Sequence, residues 1–115
     1  MKRGEVFWAD LHPRSGAKQR GRRPVVVVSN DGFNRTPSWR AVIIVPIPTS
    51  EAQARRAPTT VPLPAGSASL RRSSVALCHQ VTTLDRAKLT ERMGILPADL
   101  LAHIDDGLKA ALELD

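Results

Sequence analysis

The sequence predicts one mainly-β domain of the α+β class, a small curled antiparallel sheet or barrel with an amphipathic helix at its C-terminal end. Short apolar segments bounded by Gly, Pro and Ser recur through the first 96 residues, which is typical of strands joined by turns. A helical period appears only after Pro97. The length of 115 residues fits a single domain over 1–115, and no linker or internal repeat divides it.

Six segments have the composition of strands. The runs "PVVVV" and "AVIIV" are apolar without alternation, which indicates strands that are buried on both faces. Pro46 marks the end of the second run, because proline cannot donate a ladder hydrogen bond. The predicted strands are 5–11, 24–29, 41–47, 59–63, 74–81 and 90–96.

The C-terminal segment predicts a helix. Leu101, Ile104, Leu108 and Leu112 follow one another at spacings of three and four, which places them on one helical face. Pro97 suits the first helical position. A glycine inside a helix costs about 1 kcal/mol relative to Ala, and the segment contains one, so we expect the helix to depend on packing.

Positive charge is concentrated in the first two-thirds of the chain. The net charge is +6; residues 1–84 hold 13 Lys and Arg against 4 Asp and Glu, whereas residues 85–115 hold 4 against 7. Thirteen of the 17 basic residues are Arg, whose planar fork suits phosphate. Either a polyanion binds this part, or the arginines form a solvated surface. The pairs Arg55–Arg56 and Arg71–Arg72 extend a groove or are solvated turns, and we favour the groove for Arg55–Arg56 only.

Several classes of site find no support in the sequence. Three scattered histidines and one cysteine give no metal-ligand spacing, and there is no GxxxxGK phosphate loop. We therefore expect no metal and no cofactor. No secretory leader opens the chain and no apolar run approaches the roughly 20 residues that span a bilayer, so we expect a cytoplasmic protein without membrane contact.

A polar pair at two strand ends is the candidate for chemistry. Arg23 precedes Pro24 and is thereby confined to extended backbone at the start of a buried strand. Thr49 follows the next buried strand. If these strands pair antiparallel, the cation and the hydroxyl lie at the same end, which would suit a phosphate. The alternative is a rim arginine and a turn-forming threonine.

Four segments in order resemble the MazF/PemK family of toxin endoribonucleases: the N-terminal "RGEVFWADLHPRSGAKQRGRRPVVVVSND", then "FNR", "VIIVPIPTS" and "HQVTTLD". The "GRRPVVVVSN" junction is the most specific part. The resemblance implies an SH3-like barrel that acts as a homodimer. It also implies metal-independent, sequence-specific cleavage of single-stranded RNA to 2′,3′-cyclic phosphate and 5′-hydroxyl ends. It implies a cognate antitoxin as partner, with DNA contacted only through that antitoxin.

The resemblance also assigns residues. Its catalytic arginine and threonine correspond to Arg23 and Thr49. Its substrate-binding positions correspond to His12, Lys18, Gln19, Arg20, Arg22, Asn34, Ser50, His79, Gln80 and Thr83. Within that set we expect Arg22 to be a loop charge that attracts RNA. His79 has the pKa range of a general base, and it either reaches the Arg23/Thr49 end or turns away into the sheet or a dimer contact.

Two other functions stay open from the sequence. One is a gyrase-poisoning toxin on the same fold, which binds a protein and needs no Arg/Thr pair. The other is a nucleic-acid-binding module without catalysis. The chain ends in "ALELD" without the C-terminal aromatic residue that the poison uses, and this favours the endoribonuclease.

Overall fold

The computed structural model describes residues 1–11, 21–49 and 57–115. Within these ranges the chain forms seven strands and two α-helices. The strands are β1 (Glu5–Leu11), β2 (Gly21–Val27), β3 (Ala41–Pro46), β4 (Thr60–Leu63), β5 (Ser74–Leu77), β6 (Thr82–Asp85) and β7 (Leu89–Ile95). The helices are α1 (Asp31–Asn34) and α2 (Ala98–Leu112).

The strands form two antiparallel sheets. Five strands lie in the order β6-β3-β2-β1-β7, and β4 pairs with β5 in a second, two-stranded sheet. The predicted α+β class, mainly β with one C-terminal helix, is confirmed. The larger sheet is open, because its two edge strands β6 and β7 do not pair with each other.

The central strand β2 explains the valine run. Val26 and Val28 pack into one apolar cluster with Val6 and Ile104, whereas Val25 and Val27 pack into another on the opposite face. Successive side chains of a strand alternate between faces. A strand that is covered on both faces therefore needs apolar residues at every position, as the sequence predicts.

Helix α2 covers the first of these clusters. Ile104 is fully buried there, whereas Leu112, predicted on the same face, is 55% exposed because it lies in the last turn. Pro97 caps the helix instead of occupying its first turn. Among the described residues, no helix is long and apolar enough to cross a membrane.

The strands differ from the prediction in three main places. Strand β2 begins at Gly21, three residues before the predicted start. The predicted strand 74–81 ends at Leu77, and Cys78–Gln80 form a 3₁₀ turn. Strand β6 was not predicted. It is an edge strand of four residues, three of them exposed, so it lacks the apolar alternation by which a strand is recognised.

Candidate functional site

The candidate site lies at one end of the β2–β3 pair. Val25 is paired with Pro46, and the ladder continues through a hydrogen bond of 3.0 Å from the Ile47 N–H to the Pro24 carbonyl. The chain then crosses to the second sheet, where Thr49 forms a bridge to Ser74. The expected antiparallel pairing is therefore confirmed, and the segments that carry Arg23 and Thr49 reach the same end of the sheet.

Thr49 shares a cleft with Trp8 and Pro24, whereas Arg23 does not line that cleft. Arg23 is paired with Ala9 and shares its face with Val25, whereas Pro24 shares its face with Trp8. No hydrogen bond joins Arg23 to Thr49. The expected convergence of cation and hydroxyl is thus not a direct contact between the two residues in the described chain.

Arg23 differs from the other half-buried arginines of the described ranges. Arg3 donates to the Val28 carbonyl at 2.9 Å and pairs with Asp105 at 2.6 Å. Arg86 donates to four backbone carbonyls between residues 33 and 39. Arg23 is half-buried too, yet it has neither an ion pair nor a side-chain hydrogen bond there. A partly desolvated guanidinium without a protein partner is available to an anion from outside.

Thr49 opens into a cleft of about 540 Å³. The cleft combines an aromatic ring, hydroxyl groups and arginines. The described lining residues are Trp8, Pro24, Thr49, Ser69, Leu70, Arg71, Arg72, Ser74, Glu91, Arg92 and Met93. A volume of this size is within the usual range of small-ligand sites, about 300 to 1,000 Å³.

One wall of the cleft is a turn held in an unusual backbone conformation. Ala68 and Ser69 have φ of 47° and 65°, the left-handed region that residues other than glycine rarely adopt. A Cβ on Gly94 of β7 would lie 2.9 Å from the carbonyl carbon of Ala68. Gly94 therefore permits the turn to approach the sheet. Strained backbone of this kind clusters at functional sites.

The cleft was not predicted from the sequence, and neither was the position of Arg71 and Arg72 inside it. The sequence shows this basic pair but favours a groove only for Arg55–Arg56, which lie outside the described residues. The lining residues come from five separate parts of the sequence, at residues 8, 24, 49, 69–74 and 91–93. The bridge between Thr49 and Ser74 and the hydrogen bond from the Val75 N–H to the Pro48 carbonyl bring two of these parts together.

Arg22 is not a loop charge, and this expectation was wrong. It lies in β2 opposite Asp10, because the ladder between β1 and β2 extends to Gly21. Its guanidinium lies 5.1 Å from the centre of the Trp8 ring and 3.5 Å from Glu91. A cation over an aromatic face and beside a carboxylate is already engaged.

Asn34, a predicted substrate contact, is buried and hydrogen-bonded within the protein. It is 2% exposed, and its amide group donates to the Ser29 carbonyl at 2.8 Å and to Asp31 at 3.1 Å. The Ser29 hydroxyl donates in turn to the Asn34 Oδ1. The two bonds with Ser29 hold helix α1 against the segment that follows β2, so Asn34 has a structural role.

Three predicted substrate contacts lie beside β3. His79 and Gln80 are exposed in the 3₁₀ turn that contacts β3, and Thr83 is exposed in β6 opposite Ile43. His79 Nδ1 lies 3.1 Å from the Thr59 hydroxyl, and His79 is absent from the described cleft lining. This arrangement fits the alternative in which His79 turns away from Thr49.

Five predicted substrate contacts lie outside the described residues: His12, Lys18, Gln19, Arg20 and Ser50. Within the ranges that are described, no three His, Cys, Asp or Glu side chains are grouped so that they could hold a metal ion.

Comparison with known proteins gives one consistent result. The family described as PemK-like, MazF-like toxins of type II toxin–antitoxin systems matches residues 2–112. Endoribonuclease MazF2 of Mycobacterium bovis is 39% identical over 114 residues, which cover 99% of this chain and 98% of that protein. Endoribonuclease EndoA of Bacillus subtilis is 36% identical, with 99% and 96% covered. A mycobacterial endoribonuclease solved with its cognate antitoxin has a TM-score of 0.77 at 26% identity, covering 98% of this chain and 95% of that one.

Proposed function

This chain belongs to the PemK-like, MazF-like toxins of type II toxin–antitoxin systems and is an endoribonuclease, and we propose that it cuts single-stranded RNA at the shared end of β2 and β3. Arg23 and Thr49 are the proposed catalytic residues. The observation that carries the proposal is the half-buried Arg23 without a partner in the described chain.

The proposed reaction is a transesterification that needs no metal. The 2′-oxygen of the RNA attacks the adjacent phosphorus and loses its proton, and the bond to the 5′-oxygen of the next nucleotide breaks. The products are a 2′,3′-cyclic phosphate and a 5′-hydroxyl, so the leaving oxygen must gain a proton.

Each side chain has a role that suits its chemistry. Arginine stays protonated and can hold two phosphorane oxygens, but it cannot act as a base. Charge stabilisation of this kind is often the largest catalytic contribution. The Thr49 hydroxyl is proposed to donate a hydrogen bond to a phosphate oxygen or to the leaving oxygen.

The remaining predicted contacts are proposed to bind the RNA around this point. Gln80, Thr83 and His79 would line the path beside β3. His12, Lys18, Gln19 and Arg20 are proposed to contact the RNA as well. Arg22 is left out because Trp8 and Glu91 already engage it.

We propose an antitoxin protein as partner, as in the mycobacterial complex, and a homodimer as the active form. DNA would be contacted only through the antitoxin. An mRNA substrate implies action in the cytoplasm.

The test is cleavage of a long single-stranded RNA in the presence of EDTA. Wild-type protein should give discrete fragments with 2′,3′-cyclic phosphate ends, and Arg23→Ala should give none. Arg40→Ala is the matched control, because Arg40 is an exposed arginine paired with Asp85 at 2.6 Å. Absence of fragments with wild type, or equal fragments with Arg23→Ala, would contradict the proposal.

A further inference from the structure

The cleft beside Thr49 has unbalanced positive charge. Its lining includes three arginines and one glutamate. Arg92 is paired with Glu5, and Glu91 lies 3.5 Å from Arg22. Arg71 and Arg72 are exposed and have no carboxylate partner among the described residues. An anion that enters the cleft would therefore meet these two guanidinium groups.

The backbone that carries the two arginines is fixed at both ends. Leu70 before them is 4% exposed and belongs to the main apolar cluster. Ser74 after them is buried, and its hydroxyl donates to the Arg72 carbonyl at 2.9 Å. The strained turn against Gly94 precedes this segment. A cation on a fixed backbone loses less freedom when it binds an anion.

We propose that Arg71 and Arg72 bind phosphate groups of a single-stranded RNA that continues from Thr49 along the cleft. This inference rests on the proposed function for the identity of the polyanion. The bridge between Thr49 and Ser74 makes the arginine segment continuous with the proposed catalytic end. Trp8 in the same lining offers a ring on which a base can stack. An acidic protein segment would use the arginines but would not need that ring.

The experiment measures how salt weakens binding of an uncleavable RNA. The probe is a random 12-nucleotide single-stranded RNA with 2′-O-methyl groups, which lacks the attacking hydroxyl. For single strands, the slope of log K against log salt is about −0.7 per phosphate contact. The double variant Arg71→Gln/Arg72→Gln should therefore reduce the magnitude of the slope by about 1.4.

The matched control is Arg35→Gln/Arg40→Gln, which removes two exposed arginines that do not line the cleft. Both double variants lower the net charge equally, so a change in overall attraction alone would give equal slopes. Thermal unfolding checks that each variant folds, and Arg71→Lys/Arg72→Lys, which keeps the charge, should recover most of the lost slope.

A second readout follows the cleft directly. The chain has two tryptophans and no tyrosine, so Trp39→Phe leaves Trp8 as the sole fluorescent reporter. The RNA should change Trp8 emission, and the Arg71→Gln/Arg72→Gln change in that background should shift the titration midpoint to higher RNA concentration. If poly-glutamate changed Trp8 emission and the RNA did not, the cleft would bind acidic protein and the inference would be overturned.

The outcomes separate this inference from the proposed function. If wild type cuts RNA while both double variants have the same slope, the phosphate site is wrong and the endoribonuclease proposal stands. If wild type cuts nothing but the slope falls only for the Arg71/Arg72 variant, the phosphate site stands and the proposed reaction fails.

Discussion

Gly107 of helix α2 lies directly against Cys78: a Cβ on Gly107 would be 2.6 Å from the Cys78 Sγ and 3.2 Å from its Cβ. Both residues are buried where the helix covers the first apolar cluster. From propensity alone, Ala would stabilise a helix by up to about 1 kcal/mol relative to Gly. The close approach to the thiol reverses this expectation.

Gly107→Ala should destabilise the fold by about 1 to 3 kcal/mol, the usual cost of overfilling a packed core. Cys78→Ala in the same chain removes the sulfur that the new methyl group would meet, so the two changes together should cost less than the sum of each alone. Denaturant unfolding of the four proteins measures this coupling. If the two changes in unfolding free energy simply added, the Cys78 sulfur would not be what the Gly107→Ala methyl group meets.

Alkaline pH should weaken the fold through the same cysteine. Burial, with a smaller contribution from Asp105, raises the pKa of the Cys78 thiol from 9.0 to about 11. The folded protein thus keeps its proton more tightly than the unfolded chain, and this stability is present below pH 9 and lost as the pH rises toward 11. The urea concentration at the midpoint of unfolding should fall as the pH is raised from about 8.5 to about 11. The fall should be smaller in Cys78→Ala.

Acid should weaken the fold through Glu5. Burial alone would raise the pKa of this carboxyl, but hydrogen bonds from Arg92 and the Lys2 N–H, with the charges of Arg92 and the N-terminus, hold it below its usual value of 4.5. The stability from this group is present above pH 4.5 and is lost as the pH falls through the lowered pKa. Urea unfolding at a series of acidic pH values measures this loss, and Glu5→Gln should make the fall in stability with decreasing pH smaller; an unchanged fall would contradict the prediction.

Asn34→Ala should reduce stability and leave RNA cleavage per folded molecule unchanged. The substitution removes three side-chain hydrogen bonds and leaves the buried Ser29 hydroxyl without its acceptor, at a cost of about 1 to 3 kcal/mol. Denaturant unfolding and the RNA assay give the two quantities. A variant with normal stability and lost cleavage would return Asn34 to the substrate site.

Arg23→Lys should lower the cleavage rate by about 10² to 10³-fold with little change in stability. A lysine keeps the charge but cannot hold two phosphate oxygens in a planar fork. The described chain gives Arg23 no partner whose loss would destabilise the fold. Arg40→Lys is the control, and an equal rate for both variants would remove Arg23 from the reaction.

The sequence was most informative where one local rule decided the outcome. Short apolar runs bounded by turn residues predicted six of the seven described strands. Strand β2 is the clearest case, because burial on both faces requires an unbroken run of apolar residues. Strand β6 escaped because an exposed edge strand has no such requirement. The resemblance in "GRRPVVVVSN" also indicated the family to which the chain belongs, because that junction combines an arginine, a proline and a buried strand.

The sequence by itself determined the α+β class, the central strands, the C-terminal helix and the family. Only the tertiary structure decided which polar residues are available. It buried Asn34 under its own hydrogen bonds, engaged Arg22 with Trp8 and Glu91, and left Arg23 without a described partner. It also brought Arg71 and Arg72 beside Thr49. The physical reason is that a strand's apolar pattern is local, whereas the partner of a charge depends on which distant segment folds against it.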